Sequence, residues 1–451
     1  MMNHHLFHKP EKIRPLVIAA GVLVWLAVVS ITGQADPYQE ATAGHEPVIG
    51  ASYFGTHFHR LALSPGEKGL QTRWPDSRIG VIRLWDSGTL WSEIAVQPGQ
   101  WKYDRIDAYI DLANAHHAEV LYVLGGTPRW ASARPDEKCP YGYGCAAEPV
   151  RMAHWEEYVR RVAQRYRGRI KAYELWNEPN FSDIPRDQNA PGFYTGSVAN
   201  MVEMARIARK VLDENDAKAV LSTPGFVNGP DRLELFLSAG GKKYVQAVAY
   251  HFYSGNSDQF VRQVVQVRDV MKRQGLEKLP LWNTETGIEV DPPGSAGANT
   301  LSYPDAAARL AQFMIVGSAA GLQHFYHYAW DNERSGMINR LGESSPNQFA
   351  YERVQTWLLG ARMSGCKNVL HHAVVCAGER AGKRFAIAWA ESATSYQLPE
   401  PSGWVTVFLQ HLMDRSATPY FLPDRGKITE VELGPQPLYI QYQPQPSLKI
   451  N

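Results

Sequence analysis

Eight short apolar runs, most of them separated by helical patterns, constrain this chain more than any other feature. They span residues 49–59, 80–85, 119–125, 172–178, 219–225, 245–253, 279–285 and 322–330. Between them, segments such as 152–167 repeat apolar residues at helical spacing, with Trp155, Val159, Val162 and Tyr166 on one face. Residues 197–212 and 260–273 behave in the same way. Strands that alternate with helices in this order predict a parallel sheet, and eight of them predict a (β/α)₈ TIM barrel. From about residue 365 the pattern changes to short runs at 369–376, 385–391, 404–411, 428–433 and 438–443, punctuated by Gly, Pro, Asp and Ser. That spacing predicts a small C-terminal antiparallel β-sandwich. The expected organisation is a leader over 1–35, a linker over 36–47, a barrel over 48–360 and the β-domain over 361–451. The run after the linker is a candidate extra strand of that domain.

Residues 15–33 carry no charge, and Lys9, Lys12 and Arg14 precede them. An apolar stretch of that length behind basic residues reads as an export segment, either a membrane anchor or a long signal cleaved near Ala35. Placement outside the cytoplasm follows, at the inner membrane or in the periplasm. The four cysteines agree with an oxidising compartment. Cys139 and Cys145 bracket Pro-Tyr-Gly-Tyr-Gly, and Cys366 and Cys376 flank a strand-like run, so two local disulfides are the simplest of the three pairings. A net charge of +1 gives no basic field for nucleic acid. No cofactor or metal is implied. His57 and His59 have no third ligand within sequence reach for zinc.

Two tetrapeptides carry the chemistry, Trp176-Asn177-Glu178-Pro179 and Trp282-Asn283-Thr284-Glu285. Each ends a predicted strand, at the barrel's carboxyl mouth, where active sites of this fold lie. Paired carboxyls there suit retaining glycoside hydrolysis, in which one carboxyl protonates the leaving oxygen and the other attacks the anomeric carbon. Period-two alternation places Glu174, Trp176 and Glu178 on one face, with Glu178 outermost as acid/base and Glu174 deeper as a structural residue. An acid that holds its proton wants apolar surroundings, which Trp176 and Phe181 are expected to supply. Asn283 and Glu285 share the corresponding face of strand seven, with Glu285 as nucleophile and Arg83 and Tyr253 as its stabilising donors. Asn177 offers an amide where a sugar 2-hydroxyl would sit. His57, His59 and His251 fall at mouth positions, as core residues or as sugar hydrogen-bonding groups. Trp85, Trp130 and Trp330 stand at the ends of strands two, three and eight, as packing or as platforms for a pyranose face. Asp86, beside Trp85, reads as a turn residue ahead of a partner for a sugar hydroxyl, and the pairs His4-His5, His116-His117 and His371-His372 as surface.

The motifs resemble retaining glycoside hydrolases with (β/α)₈ barrels. More narrowly, Thr127-Pro-Arg-Trp130, Glu174-Leu-Trp-Asn-Glu-Pro-Asn180 and His251-Phe-Tyr253 resemble glycoside hydrolase family 39. The export segment, the length and the C-terminal β-domain are similar to PslG-type hydrolases encoded with bacterial exopolysaccharide biosynthesis. The resemblance implies Glu178 as acid/base beside Asn177, Glu285 as nucleophile, Arg83 as the strand-two arginine, and His251 with Tyr253 as the strand-six pair. It also implies a polysaccharide or oligosaccharide substrate, endo action, and assembly proteins or the inner membrane as neighbours. An exo-acting β-xylosidase-like enzyme and a non-catalytic component of an export machine are the alternatives.

Overall fold

The computed structural model describes residues 36–445, apart from 47, 64–66, 68, 189, 291–300, 333, 340, 370–372, 398–400, 415–419 and 422–429. Among the described residues no helix is long and apolar enough to cross a membrane. The apolar segment 15–33 and the pairs His4-His5 and His371-His372 lie outside them.

All eight predicted runs contain a parallel strand. They are β1 (Phe54–His57), β2 (Val81–Leu84), β3 (Glu119–Val123), β4 (Ala172–Glu174), β5 (Val220–Ser222), β6 (Val248–His251), β7 (Leu281–Thr286) and β8 (Phe325–His327). Their hydrogen-bonded order is β5-β4-β3-β2-β1-β8-β7-β6, and the parallel bridges Ser222–Ala247 and Phe226–Tyr250 close the ring. The barrel is therefore a TIM barrel. Its strands are shorter than the apolar runs that contain them.

The surrounding helices are α2 (Trp91–Ile94), α3 (Asp104–Ala115), α4 (Met152–Arg165), α5 (Val198–Asn215), α6 (Asp231–Ser238), α7 (Ser257–Arg273), α8 (Tyr303–Ala319) and α9 (Pro346–Leu358). Ser197, Asn256, Ser302 and Ser345 start α5, α7, α8 and α9 by accepting a hydrogen bond from a first-turn amide. The barrel interior is filled at its amino end by Val81, Leu121, Ala172, Ala247, Trp282 and Tyr326. Two residues further along the pleat, Arg83 and Glu174 replace apolar side chains. The change from packing to chemistry happens within one side-chain layer.

Among the described residues the C-terminal part is an antiparallel β-region of eight strands, β9 (Arg362–Val369), β10 (Ala373–Arg380), β11 (Lys383–Ala390), β12 (Thr394–Tyr396), β13 (Trp404–His411), β14 (Tyr420–Phe421), β15 (Val431–Leu433) and β16 (Leu438–Pro444). Six form one sheet in the order β9-β10-β11-β16-β13-β14, while β12 and β15 pair separately. Three expectations change here. Residues 369–376 are not one strand: they hold the end of β9 and the start of β10, and Cys366 and Cys376 face each other across the pair, joined by a disulfide. The expected linker contains helix α1 (Pro37–Thr42), whose Tyr38 is fully buried and donates to Asp258 on α7 at 2.6 Å. The Cys366 amide donates to Thr42 Oγ1 at 3.0 Å, so α1 ties α7 to β9. The following run adds a single antiparallel bridge, Val48–Arg362, rather than a strand. Trp357 of α9 stacks on Tyr439 at 5.4 Å and donates to Gln410, seating the sheet against the barrel.

Candidate active site

Arg83 is the hub of the mouth. It projects inward from β2, wholly buried, and its guanidinium reaches three groups. Nη2 donates to Glu174 Oε1 at 2.5 Å and Nε to Glu174 Oε2 at 3.2 Å, a fork over the carboxylate that ends β4. Nη2 also donates to Asn177 Oδ1 at 2.7 Å, and Nη1 to Glu285 Oε2 at 2.8 Å. Burial works against this charge, but Glu174 and then Glu285 outweigh it and hold the guanidinium above its ordinary pKa.

Glu285 comes into reach because β7 slips register. Asn283 lies opposite Tyr250 and Phe325, whereas Glu285 lies opposite His251 and Thr286 opposite His327. A slip of this kind adds a residue to one strand and re-aims the side chains after it. Tyr253 donates its hydroxyl to Glu285 Oε1 at 2.8 Å. Burial raises the Glu285 carboxyl, while Arg83 and the Tyr253 hydrogen bond oppose that rise.

Glu178 is held differently. After Glu174 the strand gives way to an extended segment alongside Gly225, whose carbonyl accepts the Glu178 amide at 2.8 Å and whose amide donates to Trp176 O at 2.9 Å. Glu178 itself has φ 39°, in the left-handed region that non-glycine residues rarely adopt. Gly225 is required for close approach: a Cβ there would lie 2.5 Å from Glu174 Oε1 and strike His251 Nε2. Among the described residues, only His251 is hydrogen-bonded to the Glu178 carboxyl, with Nδ1 2.8 Å from Oε1. Burial pushes Glu178 up to about 7 against the pull of Arg83.

The tautomer of His251 follows from its partners. Its ring is buried, and burial lowers its pKa to about 4, so the imidazole is neutral near pH 7. Arg83 Nη2 lies 3.4 Å from Nε2 and has only protons to offer. Nε2 therefore accepts, and the single N–H sits on Nδ1 and donates to Glu178. That donation occupies Oε1 and leaves the proton of a neutral Glu178 to Oε2.

One oxygen each from Glu178 and Glu285 and one His251 nitrogen lie within 4.8 Å of one another, which is also the spacing of a cation site. Arg83 already balances Glu285 in that space. The short separation of two carboxyls of unequal character is the chemical signature of the site.

Glu178, Glu285, Asn177, Arg83, His251 and Tyr253 are thus brought together around one cleft. His57 is fully buried with Nε2 3.1 Å from Thr284 O, a packing contact that supports the strand carrying Glu285. His59, half-buried, faces Asp331 at 3.9 Å. Trp85 is buried beneath Tyr141 and Phe193. Trp130 is half-buried on a separate groove with Pro128 and Tyr143. Trp330 is not at the mouth: β8 ends at His327 and the chain turns, packing Trp330 on Phe58 and Tyr351 while Tyr328 takes the mouth position. The alternation also fails at Trp176, which packs on Trp155 of α4 outside the barrel once β4 ends at Glu174. Phe181 packs on Tyr194 and Phe226 rather than supplying a wall for Glu178. Sequence reasoning missed Tyr328 and underrated Asp86. Asp86, at φ 57°, accepts from Tyr328 at 2.6 Å and from Tyr141. The only signal for Tyr328 was its place just beyond β8.

No family model matches the sequence, and no curated protein does. Solved structures share the fold. A family 39 glycoside hydrolase from the gut symbiont Bacteroides cellulosilyticus WH2 is 15% identical over 88% of this chain and 82% of its own, with a TM-score of 0.65. A family 39 β-xylosidase from Caulobacter crescentus is 17% identical over 81% and 89%, with a TM-score of 0.56. A family 30 endoxylanase from Clostridium papyrosolvens C71 is 13% identical over 89% and 98%, with a TM-score of 0.57. At such identities the likeness establishes the (β/α)₈ fold.

Proposed function

We propose that this chain is a retaining β-glycosidase, similar to family 39 enzymes, that acts within the chain of a bacterial exopolysaccharide outside the cytoplasm. The observation that carries the reading is the approach of Glu178 and Glu285, oxygen to oxygen, within 4.8 Å. Retaining enzymes keep their two carboxyls about 5–5.5 Å apart, whereas inverting enzymes leave about 6.5–9.5 Å for a water. Glu285, between a guanidinium and a phenol, is the group better supported as an anion and is the nucleophile. Glu178, half-buried against a neutral imidazole, keeps a proton to about pH 7 and is the acid. Glu178 protonates the glycosidic oxygen as Glu285 attacks C1 and the C1–O bond breaks. Glu178, now a carboxylate, then takes a proton from water, which attacks C1 and releases Glu285. Asn177, oriented by Arg83, is the neighbour for the sugar 2-hydroxyl.

The export segment 15–33 and the disulfides Cys139–Cys145 and Cys366–Cys376 support placement outside the cytoplasm, anchored or released. The exopolysaccharide substrate and an assembly partner rest on the sequence resemblance. An exo-acting enzyme is the second reading, favoured by the likeness to the Caulobacter crescentus β-xylosidase. Purified protein incubated with aryl β-glycosides and a polysaccharide panel, with product lengths read by mass spectrometry, separates these readings. Internal fragments support endo action, single sugars support exo action, and no turnover leaves only a non-catalytic role.

The acid assignment also fixes a pH dependence. For the free enzyme, kcat/KM on an unactivated substrate is expected to fall above about pH 7, as Glu178 loses its proton. The folded pKa lies above the ordinary 4.5, so the same group stabilises the fold fully below 4.5 and loses that contribution as pH rises through about 7. A pH–rate profile that stays flat to pH 9 contradicts Glu178 as the acid.

A further inference from the structure

The hairpin closed by Cys139–Cys145 has no part in the chemistry above. Its strands, Lys138–Cys139 and Gly142–Tyr143, pair antiparallel, and the disulfide fixes their ends. The two tyrosines between the cysteines go to different places. Tyr141 reaches the cleft: its hydroxyl donates to Asp86, and its ring lies 5.6 Å from Trp85 and 5.8 Å from Phe193. The other oxygen of Asp86 accepts from Tyr328, whose ring is 5.0 Å from that of His57. Tyr141 is therefore wired to the wall that runs down to Glu285.

Tyr143 turns the other way. With Ser92, Val96, Pro128, Arg129 and Trp130 it lines an open groove of about 520 Å³. The Trp130 indole N–H donates to Ala95 O at 2.8 Å, which pins the ring. Tyr143 is 51% exposed, and the Arg129 guanidinium lies 5.7 Å from its ring. The volume falls within the ~300–1,000 Å³ of small-molecule sites. Two aromatic rings with a guanidinium and a hydroxyl beside them suit a pyranose, whose C–H face is apolar and whose edge carries hydroxyls. Tyr141 and Tyr143 lie two residues apart on this one hairpin, so the groove adjoins the side of the mouth where Tyr141 meets Asp86.

We propose that the groove formed by Tyr143 and Trp130 is a remote subsite for a further sugar unit of the chain cleaved between Glu178 and Glu285, with Tyr141 as the ring over which that chain passes. This inference rests on the glycosidase reading and adds the substrate class, a β-linked oligosaccharide longer than the cleft itself. Binding at a remote site is spent on the reacting bond, so its effect appears as a gain in kcat/KM with chain length.

The test uses the full-length protein with aryl monoglycosides and with β-linked gluco-, xylo-, manno- and galacto-oligosaccharides of two to six units. The ratio of kcat/KM on the hexamer to that on the aryl glycoside of the same sugar is expected to fall about tenfold in Tyr143→Ala and in Trp130→Ala. Tyr143→Phe, which keeps the ring, retains the ratio. The double variant Cys139→Ser/Cys145→Ser, which frees the hairpin, lowers it. A wild type that turns over aryl glycosides without any gain from two to six units overturns the subsite and leaves the glycosidase reading intact. So does an equal loss on both substrates in Tyr143→Ala. Wild-type protein that turns over none of these compounds overturns both.

Discussion

Glu285→Ala is expected to lose hydrolysis of every aryl β-glycoside, by about four orders of magnitude or roughly 5.5 kcal/mol of transition-state stabilisation. The nucleophile is then missing, and no covalent intermediate forms whatever the leaving group. Glu178→Ala removes only the proton donor, so a leaving group that needs no protonation still departs and a glycosyl-enzyme accumulates for want of a base. Azide separates the two variants by stereochemistry. In Glu178→Ala it attacks the glycosyl-enzyme and gives a β-glycosyl azide with retained configuration. In Glu285→Ala it enters from the side the carboxylate has vacated and gives the α-azide. The reverse pattern assigns the two roles the other way round. No rate change in either variant places the chemistry elsewhere. The geometry behind the assignment is unequal support: Arg83 and Tyr253 donate to Glu285 at 2.8 Å each, whereas among the described residues Glu178 is hydrogen-bonded to His251 alone.

Arg83→Met is expected to damage both stability and rate, for separable reasons. It leaves Glu174 buried in the barrel without a counter-charge. Breaking a buried pair in this way costs about 3–5 kcal/mol. It also removes the guanidinium that favours ionised Glu285, so burial pushes the nucleophile's carboxyl further up. The double variant Arg83→Met/Glu174→Gln takes away the stranded charge. It is expected to recover most of the melting temperature and almost none of the activity. Recovery of both in the double variant means that Arg83 acts on Glu285 only through the fold.

The barrel was legible because the parallel strands are almost wholly buried, so that each lies in a short, mostly apolar run whose polar residues gather towards its carboxyl end. The paired glutamates were legible because polar residues at the ends of such runs have little structural reason to be there. What failed was the reading of faces beyond the strand ends. Period-two alternation holds only while the ladder holds, and β4 stops at Glu174, so Trp176 turned out to pack on α4. The same limit misplaced Trp330 and hid Tyr328, since β8 stops at His327. Across β7 the register slip decides which side chains reach the cleft, and no spacing in the sequence announces it. Helix α1 was hidden by its shortness: six residues carry too little periodicity to stand out from a linker. The local disulfides were legible from spacing alone. That one of them presents Tyr141 and Tyr143 to neighbouring surfaces required the packing of distant loops.

The anomeric configuration of the first product tests the central claim most directly. Proton nuclear magnetic resonance of a reaction on the aryl β-glycoside with fastest turnover, followed within the first minutes before mutarotation, distinguishes the two outcomes. Two carboxyls within 4.8 Å, one of them on Arg83, require the β-anomer to appear first and the α-anomer to grow in later. An α-anomer appearing first means that water attacks directly. In that case Glu285 is a base and the double displacement assigned to this site is wrong.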